Sequence, residues 1–524
     1  MDRLIEVISN SIKTYLIQNG YLWLGEHIEV VLLALLSTGL FPTVYKVVKY
    51  IVVFSRKSRL AKDLHPYFDK SVTDKATQCF VTTKGQNIDP SKEHEPRETH
   101  AFATTKEKLI PFFMKKVFNE VGKERQYYLV LADSGMGKTT FMINLFMCYQ
   151  NQFFGKKYDI KLLPLGDYGV DEAIDKIGEL QQLNTILLLD GLDDDSKAWN
   201  NHEKRLSDLM QKVRRFREVV ITCRTQFFPS AEKEPYETGV QKYDTEGGGQ
   251  YIFRKIYISP FDDNDIDRYL NKKFGRFAFL NRREKKSARA IVKKSPNLMV
   301  RPMLLSYIDD LASQPDGSTD GAQVKYTHTY EIYEVLIDKW IQREAKRVLA
   351  DRRQEFIKSL YYFSNQVALQ IYRNSKGGLF IEPSDVVPLA RSFEINLDEI
   401  ELRGRSLLNR TIEGNCKFAH KSILEYFLAA NAYHNRKIQP TADGQVKILA
   451  SIDLGDFDQA KSFFVEMWLD FRKREPLFDE LRWTRLSEDT TGLKEEAIRH
   501  VLEIKYRNYV PVWIDSRTLL LKRK

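Results

Sequence analysis

The chain has 524 residues, enough for three or four units with separate cores, since domains run to about 100–200 residues each. A hydrophobic share of 43% with 12% aromatics excludes a largely disordered polymer. The formal charge of +10 is a thin excess of 81 basic over 71 acidic residues, so charge alone does not argue for nucleic-acid binding, and Cys79, Cys148, Cys223 and Cys416 lie too far apart for a CxxC metal pair or a disulfide framework, which fits a reducing cytosol.

Residues 4–17 (LIEVISNSIKTYLI) carry apolar side chains at 4, 5, 8, 12, 15 and 16, one face of a helix, with Asn19-Gly20 as its stop. The run VVLLALLSTGLFPTVY at 30–45 holds no charge, and past Lys46 and Lys49 the apolar residues resume through Phe54. A bilayer core takes about 20 residues of helix, so a membrane helix is expected over about 28–54, provided Lys46 or Glu29 reaches an interface. The alternative is a helix buried in an oligomer or a soluble core. Lys46, Lys49, Arg56, Lys57, Arg59 and Lys62 lie in or after this segment against Arg3 and Lys13 before it, which places its C-terminal side in the cytoplasm of a cell whose inner membrane it crosses once. A secretory signal does not fit, because the apolar run starts near residue 30 and no small-residue cleavage pattern follows. Residues 84–100 (KGQNIDPSKEHEPRETH) are polar, contain two prolines and lack periodicity, so the expectation is an N-terminal unit over 1–65 and a linker over 66–105.

From Tyr127 to Ala132 the residues suit a buried strand, and from Lys138 onward a helix with Phe141, Leu145 and Cys148 on one side. Between them ADSGMGKT has the spacing of a phosphate loop, with Ala132 in place of the usual first glycine. Gly135 and Gly137 let backbone N–H groups turn toward phosphate oxygens, the helix start adds its dipole, Lys138 reaches the β and γ phosphates, and Thr139 ligates Mg²⁺. Nucleotide contacts are therefore expected from Ala132, Asp133, Ser134, Gly135, Met136, Gly137, Lys138, Thr139 and Thr140. ILLLDGLDDD at 186–195 supplies the acidic partner: a buried strand delivers Asp190 to the metal, and Asp193 and Asp194 lie where a carboxylate orients the attacking water. VVITCRT at 219–225 ends in Arg224, expected either to sense the γ-phosphate or to sit in a structural ion pair. With IKLLPL at 160–165 and YIFRKIYIS at 251–259 there are five strands separated by helical segments, an α/β P-loop NTPase domain over 106–260 with a parallel sheet and helices on both faces.

Downstream, "RSLLNRTIEGNCKFAH" has two short apolar runs around Glu413-Gly414-Asn415, as a hairpin wing would, and the stretch after His420 puts Ile423, Phe427 and Ala430 on one side of a helix. The loops 229–250 and 313–327 are long and polar, as linkers between moving parts would be. Residues 436–524 show no leucine-rich, TPR or WD period; they form one aromatic block with Phe463, Phe464, Trp468, Phe471 and Trp483, expected as the core of a short helical domain.

Taken together, ADSGMGKTT, LLLDGLDDD and VITCRT resemble the NACHT branch of the STAND signalling NTPases. "SPNLMVRPMLLSYI" at 295–308 resembles that family's helical-domain motif, "YEIYEVLIDKWIQRE" at 330–344 the helix opening its winged-helix region, and "KFAHKSILEYFLAA" at 417–430 its winged-helix signature; the likeness runs from about 106 to 435. It implies a helical domain over 261–327 with Pro302 near the adenine, a winged helix over 328–435 whose His420 contacts the diphosphate at rest, and a C-terminal sensor over 436–524. It further implies ATP/ADP with Mg²⁺, homo-oligomerisation on activation, and an N-terminal effector, here the membrane segment. Bacterial proteins of this kind include antiphage defence proteins, which implies a phage-derived trigger. Two other classes remain: a membrane-anchored ATPase that remodels or moves a substrate, and a DNA reader, the latter disfavoured because KSILEYFLAANAY carries one lysine and is mostly apolar.

Overall fold

The computed structural model describes residues 64, 66–86, 106–119, 127–152, 158–228, 253–275, 282–312, 326, 328–374, 378–411, 414–440, 446–469 and 509–523. The helix expected over 4–17, the membrane helix over about 28–54 and most of both long loops lie outside these residues. Among the described residues no helix is long and apolar enough to cross a membrane.

At the centre is a seven-stranded sheet made of β1 (Lys84–Gln86), β2 (Glu107–Lys108), β3 (Tyr127–Ala132), β4 (Asp159–Pro164), β5 (Thr185–Asp190), β6 (Glu218–Arg224) and β7 (Phe253–Ile258), in the order β2-β1-β7-β3-β6-β5-β4. The five strands from β3 to β7 are parallel, each at one of the runs read from the sequence, and β1 and β2 add an antiparallel margin. Strands so apolar form because both faces are covered. Tyr128, Val130, Ile186, Leu188 and Val220 pack on one side against α1 (Lys70–Gln78), α2 (Leu109–Lys115) and α3 (Lys138–Gln150). Leu129, Leu131, Leu187, Leu189 and Ile221 pack on the other against Leu206, Leu209 and Met210 of α4 (His202–Val213). Each fully buried aliphatic side chain contributes about 1.5–3 kcal/mol, so the sheet is held chiefly by this two-sided burial.

The linker expected over 66–105 needs correction. Residues 70–86 are structural: α1 packs on α3, Asn144 Nδ2 donates to the Ala76 carbonyl at 2.9 Å, and β1 pairs with β7. Its polar residues concealed a short strand whose Gly85 lies so close to Leu109 and Ile256 that a Cβ would overlap both side chains.

A second, larger core joins the remaining modules. It takes in α5 (Asp263–Phe274), α6 (Arg282–Lys294), the short α7 (Pro302–Ser306), then α8 (Thr329–Ala345) and α9 (Arg353–Arg373). The hairpin appears as β8 (Leu408–Arg410) and β9 (Cys416–Phe418), paired Leu408 to Phe418, and α10 (Lys421–His434) follows. The C-terminal expectation is also corrected: β10 (Lys437–Pro440), β11 (Val446–Leu449), β12 (Tyr509–Trp513) and β13 (Thr518–Arg523) form an antiparallel sheet in the order β10-β11-β13-β12. One helix, α11 (Asp458–Leu469), buries Phe463, Phe464 and Trp468, and Trp513 of β12 meets Phe464 at 5.4 Å between ring centroids. Phe471 and Trp483 lie outside the described residues.

Candidate nucleotide site

The phosphate loop leaves the C-terminal end of β3, the strand flanked by β6 and β7, so Ala132, Asp190 and Arg224 all come from strand ends on one edge of the sheet. Gly135 and Gly137 have φ of +77° and +89°, the left-handed region that a side chain resists. A Cβ on Gly135 would also meet the Met303 side chain at 3.0 Å. Ala132 keeps a negative φ and is buried, so the missing first glycine costs nothing in backbone strain. α3 starts at Lys138 directly after the loop, aiming its helix N-terminus at the turn.

A cavity of about 670 Å³ opens beside the loop. Gly135, Met136, Gly137, Thr139 and Thr140 line one end, as read from the sequence, and Pro302 lines it too, at the first turn of α7. Its apolar wall was not read from the sequence: Val72, Ala76, Phe80 and Val81 come from the segment assigned to a linker, joined by Phe261 and Tyr269. That volume is in the range of a ligand pocket, with polar groups at one end and hydrocarbon at the other.

The groups for a metal stand where β5 meets the loop. Asp190 is buried and accepts hydrogen bonds from Thr222 Oγ1 at 2.6 Å and from Thr139. Burial pushes its carboxyl above the ordinary range against those hydrogen bonds, with Asp193 and Asp194 adding to the push. A carboxylate so placed gains a great deal from a divalent cation. Among the described residues no group of three His, Cys, Asp or Glu side chains is arranged to hold a metal ion by itself. One hydroxyl and one carboxylate are the donor set of a Mg²⁺ that relies on phosphates and water for its other ligands, and the residues fit MgATP or MgADP. Lys138 Nζ donates to the Ala132 and Asp133 carbonyls at 3.0 and 3.4 Å; burial lowers its pKa against the pull of Asp193.

Asp193 and Asp194 differ. Both oxygens of Asp193 are taken by Arg224, through the backbone N–H at 2.9 Å and Nε at 2.7 Å. Burial opposes its charge, but Lys138, Arg224 and Arg347 prevail and hold it below the carboxylate range. Asp194, whose side chain is partly open to solvent, is pushed upward by the crowding of protein around it and by the neighbouring Asp193, and Arg347 Nη1 meets it at 2.5 Å. Arg224 also donates to the Gly404 carbonyl and pairs with Glu344 at 3.4 Å. Glu344, on α8, is wholly buried, and Arg224, Arg347 and Arg343 overcome that burial to hold its pKa at about 2.

Asp133 is the other junction. Its carboxylate accepts from Thr225 at 2.7 Å, Asn409 at 2.6 Å and Arg301 at 3.3 Å. Arg301 further donates to the Ser134 carbonyl at 3.3 Å and the Ala419 carbonyl at 2.8 Å, tying the phosphate loop to the residue before His420. His420 caps α10: Nδ1 accepts the Ser422 backbone N–H at 3.0 Å, so the neutral ring carries its proton on Nε2. That atom is buried and has no hydrogen-bond partner among the described residues. Burial first, then Arg301, Lys417 and Lys421, push the ring down to about 3, so it is neutral at pH 7. His420 does not line the cavity; the carbonyl of its neighbour Ala419 is tied to the loop through Arg301. Ser134, also buried, lies 3.5 Å from Glu344 through its hydroxyl.

No family model matches the chain, and no curated protein does. Among solved structures it is similar to the Thermotoga maritima RuvB Holliday junction branch migration motor at 12% identity and TM-score 0.32, over 63% of this chain and 96% of that one. It is also similar to Hsp104 in a closed state with ATPγS and casein, at 14% identity and TM-score 0.28, over 59% of this chain and 53% of that one. Such distant likenesses carry no functional argument. The loop, sheet order and acidic strand end define a P-loop NTPase fold in their own right.

Proposed function

We propose that the chain is a membrane-tethered signalling ATPase of the NACHT/STAND type, an ADP-held resting switch that ATP releases to oligomerise. The observation that carries this reading is the Asp133 junction, where a phosphate-loop side chain is held by β8 and by the residue preceding Pro302. Modules fastened to the phosphate loop couple their position to the state of the bound nucleotide, as a switch requires. A ligand shifts such an equilibrium only through its difference in affinity between the two states. The contact of His420 with the diphosphate in the resting form rests on the sequence resemblance alone, since the ring lies outside the lining of the 670 Å³ cavity.

In hydrolysis, water adds to the γ-phosphorus, the bond to the bridging oxygen breaks, ADP keeps that electron pair, and the water proton leaves toward solvent. Mg²⁺ would be held by Thr139 and Asp190 and would neutralise phosphate charge. Lys138 holds the β and γ phosphates, and an acid of the 193–194 pair orients the water. The inner-membrane location, the N-terminal segment as effector, and a phage-derived trigger in bacterial antiphage defence rest on the sequence resemblance and the apolar run before residue 54.

The test is to purify the full chain and measure its retained nucleotide, its MgATP turnover and its assembly. Tightly held ADP with slow turnover supports the switch; ready ADP release with steady turnover points to the anchored remodelling ATPase. Lys138→Ala is expected to abolish nucleotide binding. Phage challenge of cells with and without residues 1–60 reads the effector role, and protection that survives the deletion removes it.

A further inference from the structure

A second cavity, of about 410 Å³, lies at the C-terminal ends of β4, β5 and β6, roofed by the winged-helix module. Its walls include Asp193, Asp194 and Arg224 from the sheet side and Arg347, Gly404 and Arg405 from the other. The two acids that the sequence places where a carboxylate orients the attacking water are not equivalent here. Asp193 is 4% exposed in its side chain with both oxygens committed to Arg224. Asp194 is 43% exposed and faces the cavity, so water reaches it. Its carboxylate is nevertheless held, by an arginine that belongs to neither the phosphate loop nor the sheet: Arg347, in the turn past α8, at 2.5 Å and itself 31% exposed.

We propose that Arg347 is a positioning residue that restrains hydrolysis: it occupies Asp194, the acid of the pair that orients the attacking water, and so makes turnover depend on where the winged-helix module sits. This rests on the reading of the chain as a hydrolysing P-loop ATPase and goes beyond it by dividing the acidic pair and naming its brake. Glu344, one turn earlier, fixes the brake in place, because its pairs with Arg224 and Arg347 anchor the end of α8 above both acids. A carboxylate in an ion pair is a poorer hydrogen-bond acceptor for water, since the guanidinium already uses its lone pairs. When α8 moves, Asp194 is freed while Asp193 keeps Arg224, for that contact lies within the sheet domain.

The experiment compares single-turnover and steady-state MgATP hydrolysis by the full-length wild type, Arg347→Ala and Arg347→Lys. Arg347→Ala is expected to raise kcat by about fivefold, the ceiling for a half-exposed ion pair, with KM within about twofold of wild type. Arg347→Lys restores a cation and should return kcat toward wild type, which loss of packing alone would not do. In Asp194→Asn the Arg347→Ala gain should vanish; in Asp193→Asn, where the proposal keeps Asp194 as the acceptor, it should persist. An Arg347→Ala protein that binds MgATP yet turns over no faster refutes the brake, as does Arg347→Lys matching Arg347→Ala. If none of these proteins binds MgATP, the nucleotide reading itself fails and takes the brake with it.

Discussion

Glu344→Gln tests the buried junction with nearly unchanged volume. The residue is 0% exposed and faces Arg224 at 3.4 Å, Arg343 at 3.7 Å and Arg347 at 3.8 Å. Its carboxyl falls from an ordinary 4.5 to about 2 in the folded protein. At about 1.4 kcal/mol per tenfold change in proton affinity, that difference is worth about 3 kcal/mol of stability at pH 7. Breaking one side of a buried pair costs about 3–5 kcal/mol, the same order. A lowered folded pKa means the contribution is complete above the unfolded value and is lost as pH falls through the folded one. The wild-type advantage over Glu344→Gln should therefore be level above about pH 5 and less than half by about pH 3. Urea unfolding followed by hydrogen exchange at residues 344–348 reads it against pH. A difference under about 0.5 kcal/mol at pH 7, or one unchanged down to pH 3, would refute the argument that three arginines hold this charge.

Asp133→Ala removes the acceptor of three hydrogen bonds, two of them to groups outside the sheet domain. At about 1 kcal/mol each or somewhat more, protection from exchange along β8 and β9 should fall by about 10- to 100-fold, while the β3 amides stay protected. His420→Ala should speed ADP release; because the wild-type ring is neutral with a pKa of about 3, that release rate should not vary between about pH 6 and pH 8, and a rate that titrates near 6.5 would show the ring to be accessible and charged. Ala76→Trp fills the apolar end of the 670 Å³ cavity from α1 and should weaken nucleotide binding at least tenfold in titration calorimetry; unchanged affinity would place the base elsewhere.

What the sequence disclosed was what local chemistry dictates. The phosphate loop, the acidic strand end at Asp190 and all five parallel strands were legible because each combines a short apolar run with a residue type the turn demands. The wall formed by Val72, Ala76, Phe80 and Val81 was not, since nothing local links a polar stretch with prolines to a cavity more than 50 residues downstream. Nor was the C-terminal sheet, whose four strands pair antiparallel across a long separation. At the site, Pro302 is marked by the family motif as lying near the adenine, whereas its neighbour Arg301 makes the hydrogen bonds to Asp133, Ser134 and Ala419; a buried arginine leaves no periodic trace. Glu344 and Arg347 carry no signal in the sequence and acquire meaning only when α8 is set against the sheet edge.

Of the links that join the winged-helix side to the nucleotide domain, which include Arg224 to the Gly404 carbonyl and Arg410 Nε to the Thr225 carbonyl at 3.1 Å, three fall on different working parts: Asn409 on Asp133 of the phosphate loop, Glu344 on Arg224 at the end of β6, and Arg347 on Asp194. Glu344 and Arg347 share one turn and are themselves paired, so α8 cannot leave Arg224 without also leaving Asp194. The Asn409 link is carried by the hairpin instead, yet Arg301 binds both Asp133 and the Ala419 carbonyl, so displacement of the hairpin strips the loop of two partners together. Release is therefore expected to be all-or-none, because any partial opening strands a buried guanidinium or carboxylate at a cost of several kcal/mol. A resting form with that property stays shut under small fluctuations and opens only when ligand exchange alters several links together.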